Sequence, residues 1–474
     1  MNNVSYSTQS IIKKLGYQSS ANLFYYDDIS ADQIVMLSLH TVRVLKELKP
    51  CAFYCIENKP FILFFDKIDD SKKMKDLYKK IWNFQIPVVI FNNESTINIY
   101  NGSVLSEKDL SLEMIVQQKI EDCDEFSPFS YWNVTDKSFW EDFTEKYSSR
   151  KLNEILLENI EYVTNRLKKY NIKFATKLVL RLIFIRFLID RGVDLDYREF
   201  STNVYKSQME LLKIVKGKNS LYSLFEHLRD KFNGNLFDLE NELYDNNLTC
   251  DVFKLLHDFL SGILRLPSGQ FCLFSMYDFN IIPVELISNI YEILLGKETQ
   301  SRDKAFYTPL FLVDYILKQS VTPYLNTYKE FKILDPACGS GIFLVECFRR
   351  MIESNLDENG YINDDEKLKQ LLVNNIYGID INDEAIDITI FSLYLTILDY
   401  KDPKTLVKFT LPYLKNENLI VGNFFDDTKT AKLKAIEFDF VIGNPPWGNI
   451  KDEMHMEYSR RNKKPNQNNE ISRS

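Results

Sequence analysis

A chain of 474 residues has room for about three domains at ~150 residues each, and 45% hydrophobic residues are enough to give them cores. Seven cysteines without a CxxC pair, beside only four histidines, exclude a zinc site and a disulfide framework and suit a reducing cytoplasm. A net charge of −9 excludes nucleic-acid binding by bulk charge, so a DNA-binding surface has to be a local basic patch.

The polar opening, Met1 to Ser10, lacks the apolar core of a secretory signal, and no window of ~18 apolar residues marks a membrane span. The first ~125 residues read as a small α/β unit. Helical periodicity covers Ala31 to Leu48 and Ser71 to Trp82. Four short strands are expected at Ala52–Glu57, Phe61–Phe65, Pro87–Phe91 and Thr96–Tyr100, the last closed by Asn101-Gly102. Glu57-Asn58-Lys59 has the Glu-x-Lys form of a metal-dependent nuclease. No Pro-Asp precedes it at a suitable place, and a mixed-charge hairpin turn at Glu57 to Pro60 is the favoured reading.

Asp122 to Trp140 is an aromatic loop, and a helical region follows. The helices expected there are Lys151–Tyr170, Phe174–Arg191, Val204–Val215, Leu221–Phe232, Val252–Leu264 and Pro283–Gly296. Gly192 stops the second of these. Arg186, Asp190 and Arg191 are expected to pair within the chain rather than to hold a phosphate. Phe232 to Phe237 is a turn between helices.

From Lys304 the pattern changes to strand, loop, helix. Thr308 is expected as an N-cap with Pro309 at the first helical position, before a helix at Leu310–Ser320. A strand from Phe331 ends at Asp335. Pro336-Ala337-Cys338-Gly339-Ser340-Gly341 turns into a helix from Ile342 to about Ser354, with Gly339 and Gly341 letting a ligand approach the backbone. This is neither GxGxxG nor a phosphate loop, and an acid at the strand tip suits a ligand amine. A second strand, Asn375–Ile381, carries Asp380 where an acid binds both ribose hydroxyls. A third runs from Asn418 to Phe424. The fourth, at Phe440–Ile442, has to stop at Pro445, which leaves Asn444-Pro445-Pro446-Trp447 in a stiff loop at a strand's carboxyl end. Two acceptors, the Asn444 amide oxygen and the Pro445 carbonyl, would localise the lone pair of an aromatic amine. Trp447 offers a face for an unstacked base. Four such units in this order are the first half of a doubly wound sheet. The tail from Lys451 is polar and reads as disordered.

These motifs resemble the adenine-N6 DNA methyltransferases that use S-adenosyl-L-methionine, in the arrangement with cofactor motifs first. Phe306-Tyr307-Thr308-Pro309 is similar to the leading cofactor motif. Asp335-Pro336-Ala337-Cys338-Gly339-Ser340-Gly341 is similar to the glycine-rich motif, Asp380-Ile381 to the ribose-binding acid and its successor, and Asn444-Pro445-Pro446-Trp447 to the catalytic motif. Asn423-Phe424 stands where the family often has an acid near the adenine. A looser resemblance, through Phe139-Trp140, Ile183–Gly192 and Phe232–Phe237, is to restriction-modification polypeptides of the Eco57I type.

The resemblance implies an α/β fold with three parts and a polar tail. These are a small N-terminal α/β domain (1–125), nuclease-like in degenerate form, a helical region (126–300) and a Rossmann-like methyltransferase domain with an incomplete sheet (301–450). It implies no metal, a cytoplasmic protein without a membrane, and double-stranded DNA as partner with its adenine flipped out. The family continues beyond the catalytic loop, whereas 27 residues (474 − 447) follow Trp447 here. The expectation is therefore of a truncated or split methylase. Such a chain would not methylate sequence-specifically alone and would need a second polypeptide for target recognition. The alternative is a catalytically silent subunit that binds DNA or a partner. A small-molecule or protein methyltransferase fits the cofactor half and suits the Asn444 loop less well.

Overall fold

The computed structural model describes residues 6–28, 37–56, 58–106, 108–136, 139, 141–143, 152–232, 234–239, 242–282, 308–356, 362 and 364–445. The chain forms two compact units, Met1–Ile155 with Met276–Pro283, and Leu156–Ser275 with Val284–Ser474.

The first unit is built on a six-stranded sheet in chain order: β1 Leu23–Tyr25, β2 Ala52–Ile56, β3 Lys59–Asp66, β4 Val88–Asn92, β5 Thr96–Leu105 and β6 Leu112–Lys119. Its helices are α1 Thr8–Lys14, α2 Leu39–Leu48, α3 Ser71–Phe84 and one short helix at Tyr131–Thr135, inside the stretch expected as a loop. Only β3 and β4 pair in parallel, with α3 connecting them. The runs in β2 to β4 are apolar without alternation because these strands are covered on both faces. Of the helix expected at Ala31–Leu48, the part before Leu37 lies outside the described residues.

Besides that short helix, three elements escape the sequence pattern. Strand β6 is an edge strand whose polar residues hide its alternation, and β1 and α1 are short. Strand β5 does not close at Asn101-Gly102 as expected but runs on to Leu105 across a bulge. Gly102 answers a need for space rather than for a turn, since a Cβ there would lie 2.2 Å from the Ile86 carbonyl oxygen. In the β2–β3 hairpin Lys59 pairs with Ile56 and Asn58 is left-handed, with φ +63°. That is two-residue turn geometry. Glu57 lies outside the described residues.

The second unit opens with helices α4 Leu152–Lys169, α5 Ala175–Asp190, α6 Val204–Ile214, α7 Lys218–Phe232 and α8 Cys250–Leu260. Every residue of α5 except Lys177 is buried, as befits a helix that is apolar all round. Its charges pair internally. Arg181, fully buried, holds Glu242 at 2.6 Å and the Leu236 and Asp238 carbonyls. Arg186 pairs with Asp190, and Arg191 with Asp399. Helix α8 stops at Leu260, short of the expected Leu264. Gly262 turns left-handed there, with φ +79°, and a Cβ would lie 2.6 Å from Ser275 Oγ. The helix expected at Pro283–Gly296 lies outside the described residues.

The rest of this unit is α/β. Helices α9 Leu310–Gln319, α10 Ile342–Glu353, α11 Asp365–Val373, α12 Asp383–Asp399 and α13 Asp427–Lys434 flank or join the strands β7 Ile333–Asp335, β8 Ile376–Asp380, β9 Leu419–Val421 and β10 Phe440–Val441. All four strands are parallel, in the order β10-β7-β8-β9. The chain starts in the middle, builds outward through β8 and β9, then crosses back to place β10 on the other side of β7. The order therefore reverses between β7 and β10, the point at which open α/β sheets form their ligand crevice.

The expected α/β class and four strand units hold, with corrections at the ends. Pro309, expected inside the first turn of α9, is its N-cap. Its ψ of 138° is extended, and no side chain caps the helix. Thr308 is not the cap and is buried instead. Strand β8 ends at Asp380, so Ile381 lies in the following loop. Helices α11 and α13 were not expected.

Candidate functional site

The glycine turn at the tip of β7 is fixed from three sides. Cys338 N–H donates to the Ile379 carbonyl, Gly341 N–H to the Cys338 carbonyl, and Thr389 Oγ1–H to the Gly339 carbonyl. Gly339 and Gly341 are left-handed, with φ +53° and +78°. A Cβ on Gly341 would lie 2.5 Å from Thr389 Cγ2, so the turn has no room for a side chain there.

Asp335 sits at the base of this turn, almost wholly buried. Its Oδ1 accepts the Ala337 N–H at 3.1 Å. Burial, reinforced by the charge of Asp380 and opposed by the Ala337 N–H, pushes its pKa up to about 7. Burial also raises the Cys338 thiol well above its ordinary range, leaving it inert.

Asp380, at the tip of β8, joins the two loops. Its Oδ2 accepts the Gly339 N–H at 2.9 Å and its Oδ1 the Asn382 N–H at 2.8 Å. Ile381 beside it is 66% exposed, unusual for a large aliphatic side chain at a strand tip. At the tip of β9, Asn423 Oδ1 accepts the Phe425 N–H, and Phe424 packs half-buried on Leu334, Ile379, Ile420 and Leu433.

Strand β10 is seated by Asp439, whose carboxylate accepts the Lys332 N–H at 2.8 Å and the Tyr324 hydroxyl at 3.1 Å. The Phe440 ring packs edge-on against Tyr324 and Phe331. Ile442 N–H donates to the Leu334 carbonyl, and the chain then enters Gly443, Asn444 and Pro445. Gly443, to which the sequence reading gave no role, touches the glycine motif. A Cβ there would lie 2.3 Å from Asp335 Oδ1 and 3.3 Å from Pro336 Cδ. The loop carrying Asn444 thus starts in atomic contact with the carboxyl at the base of the glycine turn. Phe306, Tyr307, Pro446 and Trp447 lie outside the described residues.

A model of the N-6 DNA methylase family matches residues 284–472. The match covers about two fifths of the chain and holds all four parallel strands described above. Across a wider span the chain is 27% identical over 317 residues to the type II restriction enzyme and methyltransferase RM.Eco57I of Escherichia coli, covering 56% of this chain and 29% of that protein. It is 23% identical to the putative type II restriction enzyme and methyltransferase RM.MjaORFECS2P of Methanocaldococcus jannaschii, covering 89% of this chain and 40% of the relative. The type II methyltransferase M.BstVI of Geobacillus stearothermophilus is 32% identical, over 33% of this chain and 27% of its own length. The chain spans less than half the length of each of these relatives. No helix among the described residues is long and apolar enough to cross a membrane.

Proposed function

We propose that this chain is the cofactor-binding and catalytic part of an S-adenosylmethionine-dependent DNA methyltransferase, acting on N6 of adenine within a restriction-modification or related defence system. The observation that carries the reading is the contact of Gly443 with Asp335, which joins the loop of a base-binding motif to the turn of a cofactor motif at the reversal of the sheet. The chemistry of the donor set fits the cofactor. The left-handed glycine turn would admit its methionine part, Asp335 would pair with its ammonium, Asp380 would accept its ribose hydroxyls, and Ile381 with Asn423-Phe424 would border its adenine. Phe306-Tyr307-Thr308-Pro309 would complete the cofactor site, by its resemblance to the leading cofactor motif.

When bound, S-adenosylmethionine supplies an electrophilic methyl group on a sulfonium. The work of this chain is to make a poor nucleophile attack it. Asn444 Oδ1 and the Pro445 carbonyl accept the two N–H groups of the target amine. They localise its lone pair and stabilise the positive charge that grows on nitrogen as the N–C bond forms and the methyl–sulfur bond breaks, after which the nitrogen gives up one proton to solvent. The fixed φ of a Pro-Pro pair would restrict the loop, and Trp447 would stack on an adenine flipped from double-stranded DNA, a contact worth about 1–3 kcal/mol. A second polypeptide carrying the rest of the sheet and the target-recognition part belongs to the same proposal. Its support is that β10 has a single neighbour, β7, among the described residues.

The test is Asn444→Ala. Because the lost acceptor acts mainly in the transition state, labelled-methyl transfer to DNA should fall by about 100-fold or more with cofactor affinity kept. Near-normal turnover in this variant refutes the mechanism.

A further inference from the structure

The turn between α7 and the following segment, Phe232 to Phe237, does more than reverse the chain. It plugs into the methylase segment. Gly234 is left-handed, with φ +79°, and a Cβ on it would lie 2.9 Å from Tyr394 Oη on α12. Asn235 N–H donates to Tyr394 Oη at 3.1 Å, and the Tyr394 hydroxyl donates to the Pro412 carbonyl at 2.6 Å. The Asn235 side-chain oxygen accepts two consecutive backbone N–H groups, Leu414 at 2.7 Å and Lys415 at 3.1 Å. On the far side, Arg181 grips the Leu236 and Asp238 carbonyls, so the turn is anchored in the helical region.

What Asn235 holds leads to both adenosine-side loops. Lys415 Nζ pairs with Asp383 at 2.6 Å and Asp387 at 2.8 Å, on the first turns of the helix that follows Asp380 and Ile381. Lys415 also bridges to Leu419, the first residue of β9, whose other end leads to Asn423 and Phe424. The helical region reaches the same helix start a second time, because Lys168 Nζ and Thr176 Oγ1 both meet Glu384 Oε2.

We propose that Asn235 is a positioning residue for the adenosine half of the cofactor site. It acts through Lys415 on the loop after Asp380 and through β9 on the loop of Asn423 and Phe424. The inference rests on the cofactor reading above and adds to it that the upstream helices are part of the pocket. The Asn235 side chain acts here through its oxygen, whose two backbone partners, the Leu414 and Lys415 N–H groups, are donors. An aspartate therefore preserves the arrangement and an alanine does not.

Calorimetric titration of the full chain with S-adenosylhomocysteine, and separately with adenosine, tests this. Asn235→Ala should weaken both ligands by a similar factor of about ten or more, while Asn235→Asp stays within about twofold of the parent. Lys415→Met, which leaves the turn itself intact, should reproduce the loss and carries the test if the alanine variant does not fold. Unchanged affinity in the alanine variant overturns the proposal. So does an equal loss in the alanine and aspartate variants, or a loss confined to S-adenosylhomocysteine with adenosine unaffected. A parent chain that binds neither ligand overturns the cofactor reading and this inference with it.

Discussion

At the scale of single residues, the close approach of Gly443 to Asp335 would, on the proposed reading, decide how donor and acceptor meet. Asp335 titrates near 7 in the folded chain because burial disfavours its charge, against ~3.9 for an unperturbed aspartate. Between those values the folded chain holds a proton that the unfolded chain has released. The stability contributed by this group is thus fullest below about pH 4 and is lost as pH rises toward about 7. Ligand binding runs the other way. A ligand ammonium favours the ionised carboxyl, so cofactor affinity should climb from pH 6 to 8, by at most about tenfold per unit below the pKa, and then level off. Calorimetry across that range should show the climb in the parent and a flat profile in Asp335→Asn. Gly443 is constrained by space. An alanine there has to push either the carboxyl or the Asn444 loop by roughly 1 Å, a displacement able to cost about 100-fold in a reaction that depends on near-attack geometry. Single-turnover kinetics on Gly443→Ala should show that fall, and the added penalty should shrink in an Asp335→Ala background where the obstacle is gone.

At the scale of elements, the acceptor loop depends on how firmly the short strand β10 is seated. Two residues pair with β7, and the Asp439 carboxylate supplies two further hydrogen bonds to Lys332 and Tyr324. Asp439→Ala should therefore reduce methyl transfer while cofactor affinity, set on β7 and β8, changes little. A KM-against-kcat comparison reads this directly. The elements also show what a sequence pattern can carry. Asp335 to Gly341 was legible because a strand tip followed by two glycines has few backbone solutions. Helix α13 was not, because its exposed, charged sequence has no apolar stripe. The start of α9 was misassigned by one residue because Thr-Pro satisfies the capping pattern at either of two positions, and the backbone angle of Pro309 chose between them.

At the scale of the whole molecule, the order of the four strands and the class of the fold were readable. The fit between distant segments was not. Gly443 meets Asp335 across 108 residues (443 − 335), and Asn235 meets Lys415 across 180 (415 − 235). Neither pairing leaves a local signature, because a glycine kept for space and an asparagine kept for its oxygen look like ordinary turn residues. The helical region and the methylase segment also share one compact unit, contrary to their appearance as successive blocks of sequence. Helix α12 is buried on nearly all sides, and Arg191 of the helical region closes on Asp399 at its end. A fragment beginning at Val284 should consequently lack a cooperative thermal transition, whereas one beginning at Leu152 should keep it. Near-UV circular dichroism on heating distinguishes them.

The brevity of β10 has a consequence for motion. A strand with two paired residues, on the border of the described sheet and with Val441 60% exposed, opens at a lower free energy than β7 and β8, whose tips are knitted together by Asp380. On the proposed reading the donor side of the crevice would be the firmer wall and the acceptor side the one that opens first, and hydrogen exchange at Val441 and Ile442 faster than at Leu334 and Ile379 would be the mark of that asymmetry.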